Sequence, residues 1–310
     1  MGYAMPLPPV ENRPFTPAAA LAAIAVNAAF GANIVAVKLS LPGFGPFALG
    51  SIRLAAGAAI VAVVALATGR SLRLSARRAA QVAIYGLGFT LQVGLVYFAM
   101  TKTRASRGVL VAGVTPFLVL ALAHFLIPGD RATPRKLVGL ALGAAGVLVV
   151  LHGGAALGRD VREGDLLVLG AAVLGAASTV YAKRIIGAFD PFAFAAYPAA
   201  IAAPLLGIGA LLWDPPSKGA LGPEVVGALL YQIFVTASFG FVAWNALFQR
   251  HGAVALQSFQ AIQPIVGVAL GRLLLGEPLG EGAVLVALPL VALGIAVMNA
   301  EALRLPRRGR

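Results

Sequence analysis

The sequence predicts an all-α integral membrane protein with ten transmembrane helices, arranged as two inverted five-helix repeats. Three observations predict this fold class: an apolar composition, ten long apolar runs, and motifs that recur after about 147 residues. Of the 310 residues, 60% are hydrophobic and 11% are charged, whereas a soluble domain has about 25% charged residues. A lipid bilayer is the environment in which so much apolar surface is stable.

The apolar runs are long enough to be membrane-spanning helices, because about 20 apolar residues cross a hydrocarbon core of about 30 Å. They are too long and too uniformly apolar for barrel strands, and a helix satisfies its own backbone hydrogen bonds in lipid. The predicted spans are residues 18–37, 46–67, 79–100, 105–127, 137–151, 166–186, 192–213, 225–248, 253–275 and 283–300.

The polar breaks and the repeat divide the chain into five segments. These are a disordered cytoplasmic N-terminus (1–16), a first five-helix repeat (17–153), a linker (154–164), a second five-helix repeat (165–301) and a basic cytoplasmic tail (302–310). The first segment is rich in proline, and it lacks the basic region, short apolar core and cleavage site of a signal peptide.

Basic residues predict the orientation of the helices, because cytoplasmic loops are enriched in lysine and arginine. With a cytoplasmic N-terminus, 15 basic residues lie on the cytoplasmic side and 8 on the other side, and Arg53 lies inside a span. The loop from Lys102 to Arg107 goes against this trend. We therefore expect both termini in the cytoplasm.

The two halves of the chain share motifs in the same order, at offsets of 145 to 148 residues. The matching pairs are Lys38 with Lys183, Pro46-Phe47-Ala48 with Pro191-Phe192-Ala193, Thr115-Pro116 with Gln263-Pro264, Gly129-Asp130 with Gly276-Glu277, and Gly146 with Gly294. Five spans per half is an odd number, so the two copies must enter the membrane with opposite topology. Inverted repeats surround the substrate site in many secondary carriers. The alternative is a duplication that only enlarged the helix bundle.

These motifs resemble those of the EamA-type carriers of the drug/metabolite transporter (DMT) superfamily over nearly the whole chain. The residues that carry the resemblance are Lys38, Pro46…Arg53, Ala99-Met100, Pro116, Gly129-Asp130-Arg131 and Gly146, and then Lys183, Pro191, Ala246-Leu247, Pro264, Gly276-Glu277-Pro278 and Gly294. Asp130 stands where the family often has glutamate, and Pro198 stands where Arg53 would repeat. The resemblance implies a DMT-type transporter fold in a bacterial inner membrane. Within the family the chain is most similar to amino-acid exporters of the aromatic type, and this similarity alone implies export.

Uncharged polar residues on five spans predict a cavity between the repeats. Such side chains are unfavourable against lipid, so they should face the interior of the bundle. The predicted cavity residues are Asn33, Tyr85, Gln92, Ser178, Tyr181, Tyr231, Ser238, Asn245, Gln257 and Gln260. A polar cavity with aromatic rings suits a neutral or zwitterionic substrate with an apolar side chain. The alternative is that these groups only form hydrogen bonds between helices.

Two ionisable residues and two prolines inside the spans are further candidates. His124 could carry a proton or contact substrate, or it could form a packing hydrogen bond. Arg53 could attract an anionic substrate group, or it could bind backbone carbonyls or lipid phosphate. Pro116 and Pro264 each remove a backbone hydrogen bond in mid-helix, so they predict kinks that could gate alternating access. The G-x-x-x-G stretches at 139–143 and 267–271 predict close helix contacts.

Several functional classes are disfavoured by what the sequence lacks. There is no P-loop, H-E-x-x-H or G-x-S-x-G motif, no cysteine, and no metal-ligand spacing among three scattered histidines. We therefore expect no enzyme activity, no cofactor and no metal. The net charge of +13 is spread over loops, which argues against nucleic-acid binding. No acidic residue lies deep in a predicted span, so coupling to an ion through a buried carboxylate has no candidate.

The expected function is secondary transport of small amphipathic metabolites, above all amino acids, out of the cell by alternating access. The expected partners are a small-molecule substrate and the lipid bilayer, with a monomer as the functional unit. Two alternatives stay open. One is a carrier for drugs, nucleotide sugars or sugar phosphates, and the other is a channel-like or structural membrane protein.

Overall fold

The computed structural model describes residues 15–126, 133–156, 159–216, 221–251, 256–277 and 282–299, and all its regular elements in these ranges are helices. They are α1 (Pro17–Ser40), α2 (Pro46–Ala67), α3 (Ala76–Lys102), α4 (Ala105–Ala112), α5 (Thr115–Leu126), α6 (Pro134–Ala156), α7 (Arg159–Ile185), α8 (Pro191–Trp213), α9 (Pro223–Tyr231), α10 (Phe241–Arg250), α11 (Ile262–Leu275) and α12 (Gly282–Asn299). Gln232–Gly240 is a π-helix, and Ile186–Ala188 and Ser258–Ala261 are 3₁₀-helices. Gly129, Asp130, most of the predicted N-terminal segment and the basic tail lie outside the described residues.

Seven helical stretches in the described part of the chain are long and apolar enough to cross a membrane. They are Pro17–Ser40, Pro46–Ala67, Ala76–Lys102, Ala105–Leu126, Arg159–Ala188, Pro191–Trp213 and Pro223–Arg250. Three shorter apolar helices, Leu137–Val150, Ile262–Leu275 and Gly282–Val297, overlap the remaining predicted spans, and the count of ten spans stays a prediction. The predicted class, an all-helical multi-pass membrane protein, is confirmed.

The matching Pro-Phe-Ala motifs begin α2 and α8, where proline is favoured because the first turn needs no N–H from it. These two helices run antiparallel. The carboxylate of Asp214, which follows α8, accepts hydrogen bonds from Phe47 N at 3.1 Å and Ala48 N at 2.7 Å at the start of α2. Arg70, which follows α2, pairs at 2.9 Å with Asp190, the N-cap of α8. Each helix therefore begins where the other ends.

The main contacts between helices have equivalents between the corresponding helices of the other half. α1 lies against α11, and its counterpart α7 lies against α5. α3 lies against α7, and α9 with the π-helix lies against α1. The pairs α2 with α8 and α6 with α12 are each their own counterpart. The helix contacts of one half therefore correspond to those of the other half, as in a twofold arrangement.

The matching lysines bind equivalent helix ends. Lys38 Nζ donates to Met100 O and Thr103 O, both at 2.6 Å, where α3 ends. Lys183 Nζ donates to Phe248 O at 2.6 Å and His251 O at 2.8 Å, where α10 ends. Carbonyls in the last turn of a helix have no intrahelical partner, and a cation there also interacts favourably with the helix dipole. We name the two ends of the bundle the Lys38 end and the Lys183 end after these residues.

Glycines allow α6 and α12 to approach closely within the chain. A Cβ added to Gly294 would lie 2.7 Å from Gly139 O and 2.8 Å from Gly143 N, both of which are backbone atoms of α6. A Cβ on Gly143 would clash with the ring of Phe117 in α5. A side chain at Gly294 would therefore separate α6 from α12, and one at Gly143 would displace Phe117.

We expect Gly294→Ala to lower the free energy of unfolding by about 1–3 kcal/mol, because overpacking against a helix backbone cannot be relieved by a rotamer change. The matched control is Gly170→Ala in α7, where an added Cβ meets no atom within 4 Å. The measurement is the thermal unfolding midpoint in detergent. Equal midpoints for the two variants would contradict the close approach of α6 and α12.

The helices are interrupted near both mid-span prolines. Gly113 and Val114 form a turn between α4 and α5, two residues before Pro116. The 3₁₀-helix Ser258–Ala261 precedes α11, which contains Pro264 near its start. These breaks lie at equivalent places in the two halves. Their role in gating stays a prediction.

Candidate functional site

The guanidinium of Arg53 lies in the interior of the bundle, between the two halves. The residue is 4% exposed, and it lies seven residues into α2, about 10 Å along the helix axis. Arg53 Nη1 donates to Asn33 Oδ1 at 3.3 Å and to the hydroxyl of Tyr97. The guanidinium also lies 5.7 Å from the ring centre of Tyr97 and 5.6 Å from that of Phe241. Arg53 Nε is buried without a hydrogen-bond partner in the described structure.

A hydrogen-bond network extends from Arg53 into the second half. Tyr97 Oη donates to Gln232 Oε1 at 2.9 Å, and Gln232 Nε2 donates to Ser40 Oγ at 2.9 Å. Thr236 Oγ1 donates to Asn33 Oδ1 at 2.9 Å. Gln232 and Thr236 are fully buried and belong to the π-helix, whereas the other members come from α1, α2 and α3. We call Asn33, Arg53, Tyr97, Gln232 and Thr236 the Arg53 cluster.

Aromatic rings adjoin the Arg53 cluster on one side. The ring of Phe241 lies 5.9 Å from that of Phe30 and 5.6 Å from that of Phe89. The ring of Trp244 lies 6.1 Å from that of Phe30. Phe241 therefore lies between the polar Arg53 cluster and an apolar surface of aromatic rings.

Of the predicted cavity residues, Asn33 belongs to the Arg53 cluster, and the others make separate contacts elsewhere in the bundle. Tyr85 stacks on Phe194 with ring centres 4.9 Å apart, and Tyr181 Oη donates to Gln81 O at 3.3 Å. Gln92 and Ser178 are half-buried at the interface of α3 and α7, beside Gly175 and Gly88 respectively.

The predicted stripe on the eighth span is divided by the π-helix. Tyr231 Oη donates to Ala29 O at 2.9 Å on α1. Ser238 Oγ donates to Ile233 O at 2.7 Å, five residues earlier in its own helix. Asn245 is buried in α10. An i→i+5 pattern places more residues in each turn than an α-helix, so residues seven apart no longer share one face.

Two predicted glutamines lie at the start of the ninth span. Gln257 is 1% exposed, and neither its Nε2 nor its Oε1 has a hydrogen-bond partner in the described structure. Gln260 is half-buried in the 3₁₀-helix. A buried amide with unmet hydrogen bonds costs free energy, so Gln257 is a candidate for contact with a ligand.

His124 is not a member of the Arg53 cluster. It is exposed, two residues before the last described residue of α5, and its ring lies 4.9 Å from that of Phe125. Pro116 and Pro264 are buried next to the helix breaks described above. Roles in proton transfer and gating remain predictions for these residues.

Sequence reasoning missed Tyr97, Gln232 and Thr236, which hold the centre of the Arg53 cluster. Gln232 and Thr236 are four residues apart, a spacing that places them on one helical face. The prediction used the neighbouring face with Tyr231, Ser238 and Asn245 instead. Tyr97 is a single polar side chain within an apolar run and forms no stripe with its neighbours.

Acidic groups lie beside the basic loop that opposes the predicted orientation trend, at the Lys38 end. Arg107 and Asp165 are fully buried and form an ion pair, with Arg107 Nε 3.1 Å from Asp165 Oδ2. Lys102 Nζ pairs with Glu163 Oε2 at 2.9 Å. The Glu277 carboxylate accepts hydrogen bonds from Ala105 N at 2.7 Å and Ser106 N at 2.8 Å. Basic residues of this loop are thus paired with acidic groups of the second half.

Among the grooves on the surface of the described bundle, two lie beside the helices of the predicted spans. One, of about 630 Å³, lies between α2 and α8 and is lined mainly by alanines. The other, of about 460 Å³, lies among α1, α9 and α11 and includes Tyr231 and Glu224. Neither groove is lined by Arg53 or by another member of the Arg53 cluster.

The fold and the Arg53 cluster define a multi-pass helical membrane protein with a polar site between its two halves. The chain belongs to the EamA-like transporter family, which matches residues 17–152 and again 162–300. The protein is therefore a membrane transporter and not an enzyme.

Individual relatives agree with this assignment. An uncharacterized transporter of Bacillus subtilis, YyaM, is 25% identical over 89% of this chain and 92% of its own length. A probable amino-acid metabolite efflux pump of Salmonella typhimurium is 26% identical over 83% of this chain and 87% of its own. A solved crystal structure shares the fold, with a TM-score of 0.71 and 24% identity, over 94% of this chain and 99% of that one.

Proposed function

We propose that the protein exports amino acids or similar amphipathic metabolites by alternating access around the Arg53 cluster. The observation that carries this proposal is the cluster itself: a buried cation, hydrogen-bonding groups and aromatic rings contributed by both halves. Amino acids combine charged and apolar parts, and such a site offers partners for both. The efflux-pump relatives support the same substrate class.

The proposed mechanism requires ten spans in two inverted repeats. The antiparallel arrangement of α2 and α8 supports inversion, and so do the equivalent contacts of Lys38 and Lys183. A substrate site between inverted repeats can open to each side in turn as the two halves rock against one another. We further propose a bacterial inner membrane, cytoplasmic termini and a monomeric functional unit.

Among the alternatives, a phosphorylated substrate is disfavoured by the charges. A phosphate group calls for several basic residues facing inward. Of the buried lysines and arginines in the described structure, Lys183 binds helix-end carbonyls and Arg107 pairs with Asp165, which leaves Arg53. One guanidinium matches a single negative charge.

Counterflow in proteoliposomes tests the proposal. We expect vesicles preloaded with an unlabelled amino acid to accumulate the labelled form, and the initial rate to saturate with concentration. Protein-free vesicles are the control. Flux that rises linearly without saturation would indicate a channel, and no flux of any amino acid would contradict the proposed substrate class.

A further inference from the structure

The buried basic residues of the described structure differ in how they are compensated. Arg107 has the carboxylate of Asp165, and Lys183 has two helix-end carbonyls and the ring of Phe248 at 4.7 Å. Arg53 has an amide oxygen, a phenol oxygen and two ring faces. No carboxylate is among its partners in the part of the chain that the structure describes. Among the described residues, Arg53 is therefore a buried cation without a counter-ion.

The geometry of Arg53 leaves hydrogen-bonding capacity unused. A guanidinium has five N–H donors in a planar fork and stays protonated in proteins. Both described hydrogen bonds leave from Nη1, and the buried Nε has no partner. Buried charges are normally paired, because desolvation without a partner is costly. A carboxylate is the small anion whose two oxygens fit a guanidinium fork.

We infer that Arg53 is the anchor for the carboxylate of the transported substrate, and that the aromatic rings beside it receive an apolar or aromatic side chain. This inference rests on the proposed function and names the part of the substrate that is recognised. The position between the halves means that a substrate bound there contacts α2 and the π-helix together. Phe241 contacts Arg53 and also the rings of Phe30 and Phe89, so the side-chain end of the substrate lies within reach of all three.

The inference makes the carboxylate, and not the amino group, the required feature of the ligand. The Arg53 cluster contains no acidic side chain, so a substrate ammonium meets only neutral acceptors such as Asn33 and Gln232. An acid without an amino group should therefore bind well, and an amine without a carboxylate should bind more weakly.

The test compares three ligands of one shape on the purified full-length protein in nanodiscs: L-phenylalanine, 3-phenylpropionate and 2-phenylethylamine. We expect the first two to bind and 2-phenylethylamine to bind about 10–100-fold more weakly, as for loss of hydrogen bonds to a charged group. Arg53→Gln should remove this difference between acid and amine, and Arg53→Lys should restore part of it. Arg70→Gln, which changes a half-exposed arginine at the Lys183 end, should keep the wild-type preference.

The outcomes separate this inference from the proposed function. Equal binding of L-phenylalanine and 2-phenylethylamine to the wild type would overturn the role of Arg53 and leave amino-acid transport standing. An unchanged acid-to-amine ratio in folded Arg53→Gln would do the same. Binding of none of the three ligands to the wild type would contradict the proposed substrate class, and this inference with it. If Arg53→Gln does not fold, the comparison of ligands on the wild type decides.

Discussion

Asp165→Ala is expected to destabilise the protein by about 3–5 kcal/mol, because it removes the carboxylate from a fully buried ion pair and leaves Arg107 charged in the interior. Asp165 Oδ1 also accepts a hydrogen bond from Thr103 Oγ1 at 2.6 Å. Arg107 in turn donates to Val150 O. The pair thus joins the turn after α3 to α6 and α7. We expect a large loss of monodisperse protein and a lower unfolding midpoint in detergent.

A double variant separates the ion pair from simple packing. Replacing both partners with apolar residues of similar size, as Arg107→Met with Asp165→Leu, removes the uncompensated charge, and such replacements are often neutral or stabilising. The double variant should therefore be more stable than Asp165→Ala alone. Asp160→Ala is the matched control, because that side chain is 82% exposed. A double variant less stable than the single one would contradict the electrostatic explanation.

Glu277→Gln is expected to shift the protein towards a state that is open at the Lys38 end. The Glu277 carboxylate, after α11, accepts both hydrogen bonds from the first residues of α4, so it joins the second half to the first. Gly271 leaves room for it, since an added Cβ would lie 3.0 Å from Glu277 Oε2. Each hydrogen bond to a charged group contributes about 1.5–3 kcal/mol. Loss of one corresponds to a change of about 10–150-fold in the ratio of open to closed molecules.

Single cysteines can measure this shift without background, because the chain has none of its own. Ala99 and Leu247 are buried reporters at the two ends, and their carbonyls accept equivalent backbone bonds from Thr103 and His251. In the Glu277→Gln background, Ala99→Cys should react faster with a maleimide and Leu247→Cys should react more slowly.

Exposed Glu224 provides the matched control, as Glu224→Gln. Faster labelling at both ends would indicate loosening of the whole fold, and unchanged labelling at both would show that Glu277 does not hold the Lys38 end closed.

The predicted repeat depended on isolated lysines and prolines, and the structure supplies the physical reason for their spacing. Pro46 and Pro191 begin equivalent helices, and Lys38 and Lys183 satisfy carbonyls at equivalent helix ends. Such features are local requirements of a helix terminus, so they recur at fixed offsets and are visible in one sequence.

The candidate site was less predictable, because its members depend on tertiary contacts. Period-3.6 reasoning selected Tyr231, Ser238 and Asn245, but the nine-residue π-helix changes the register and turns Gln232 and Thr236 towards Arg53. A π-helix is rare, and no residue pattern in this span predicts one.

The sequence also did not predict that charged side chains at the Lys38 end would be buried. The predicted span begins at residue 166, just after Asp165, whereas α7 begins at Arg159 and carries Asp165 into the interior. Whether a terminal acid is solvated or buried depends on the helices around it, here α3, α4 and α6.

The sequence by itself determined the membrane class, the all-helical character and the internal repeat, because composition, length and helix-end chemistry are local properties. Only the tertiary structure decided which polar groups meet. It paired Arg107 with Asp165 and left Arg53 with neutral partners between the halves. That difference depends on contacts between residues far apart in the chain, because these contacts decide whether a buried charge has a counter-ion.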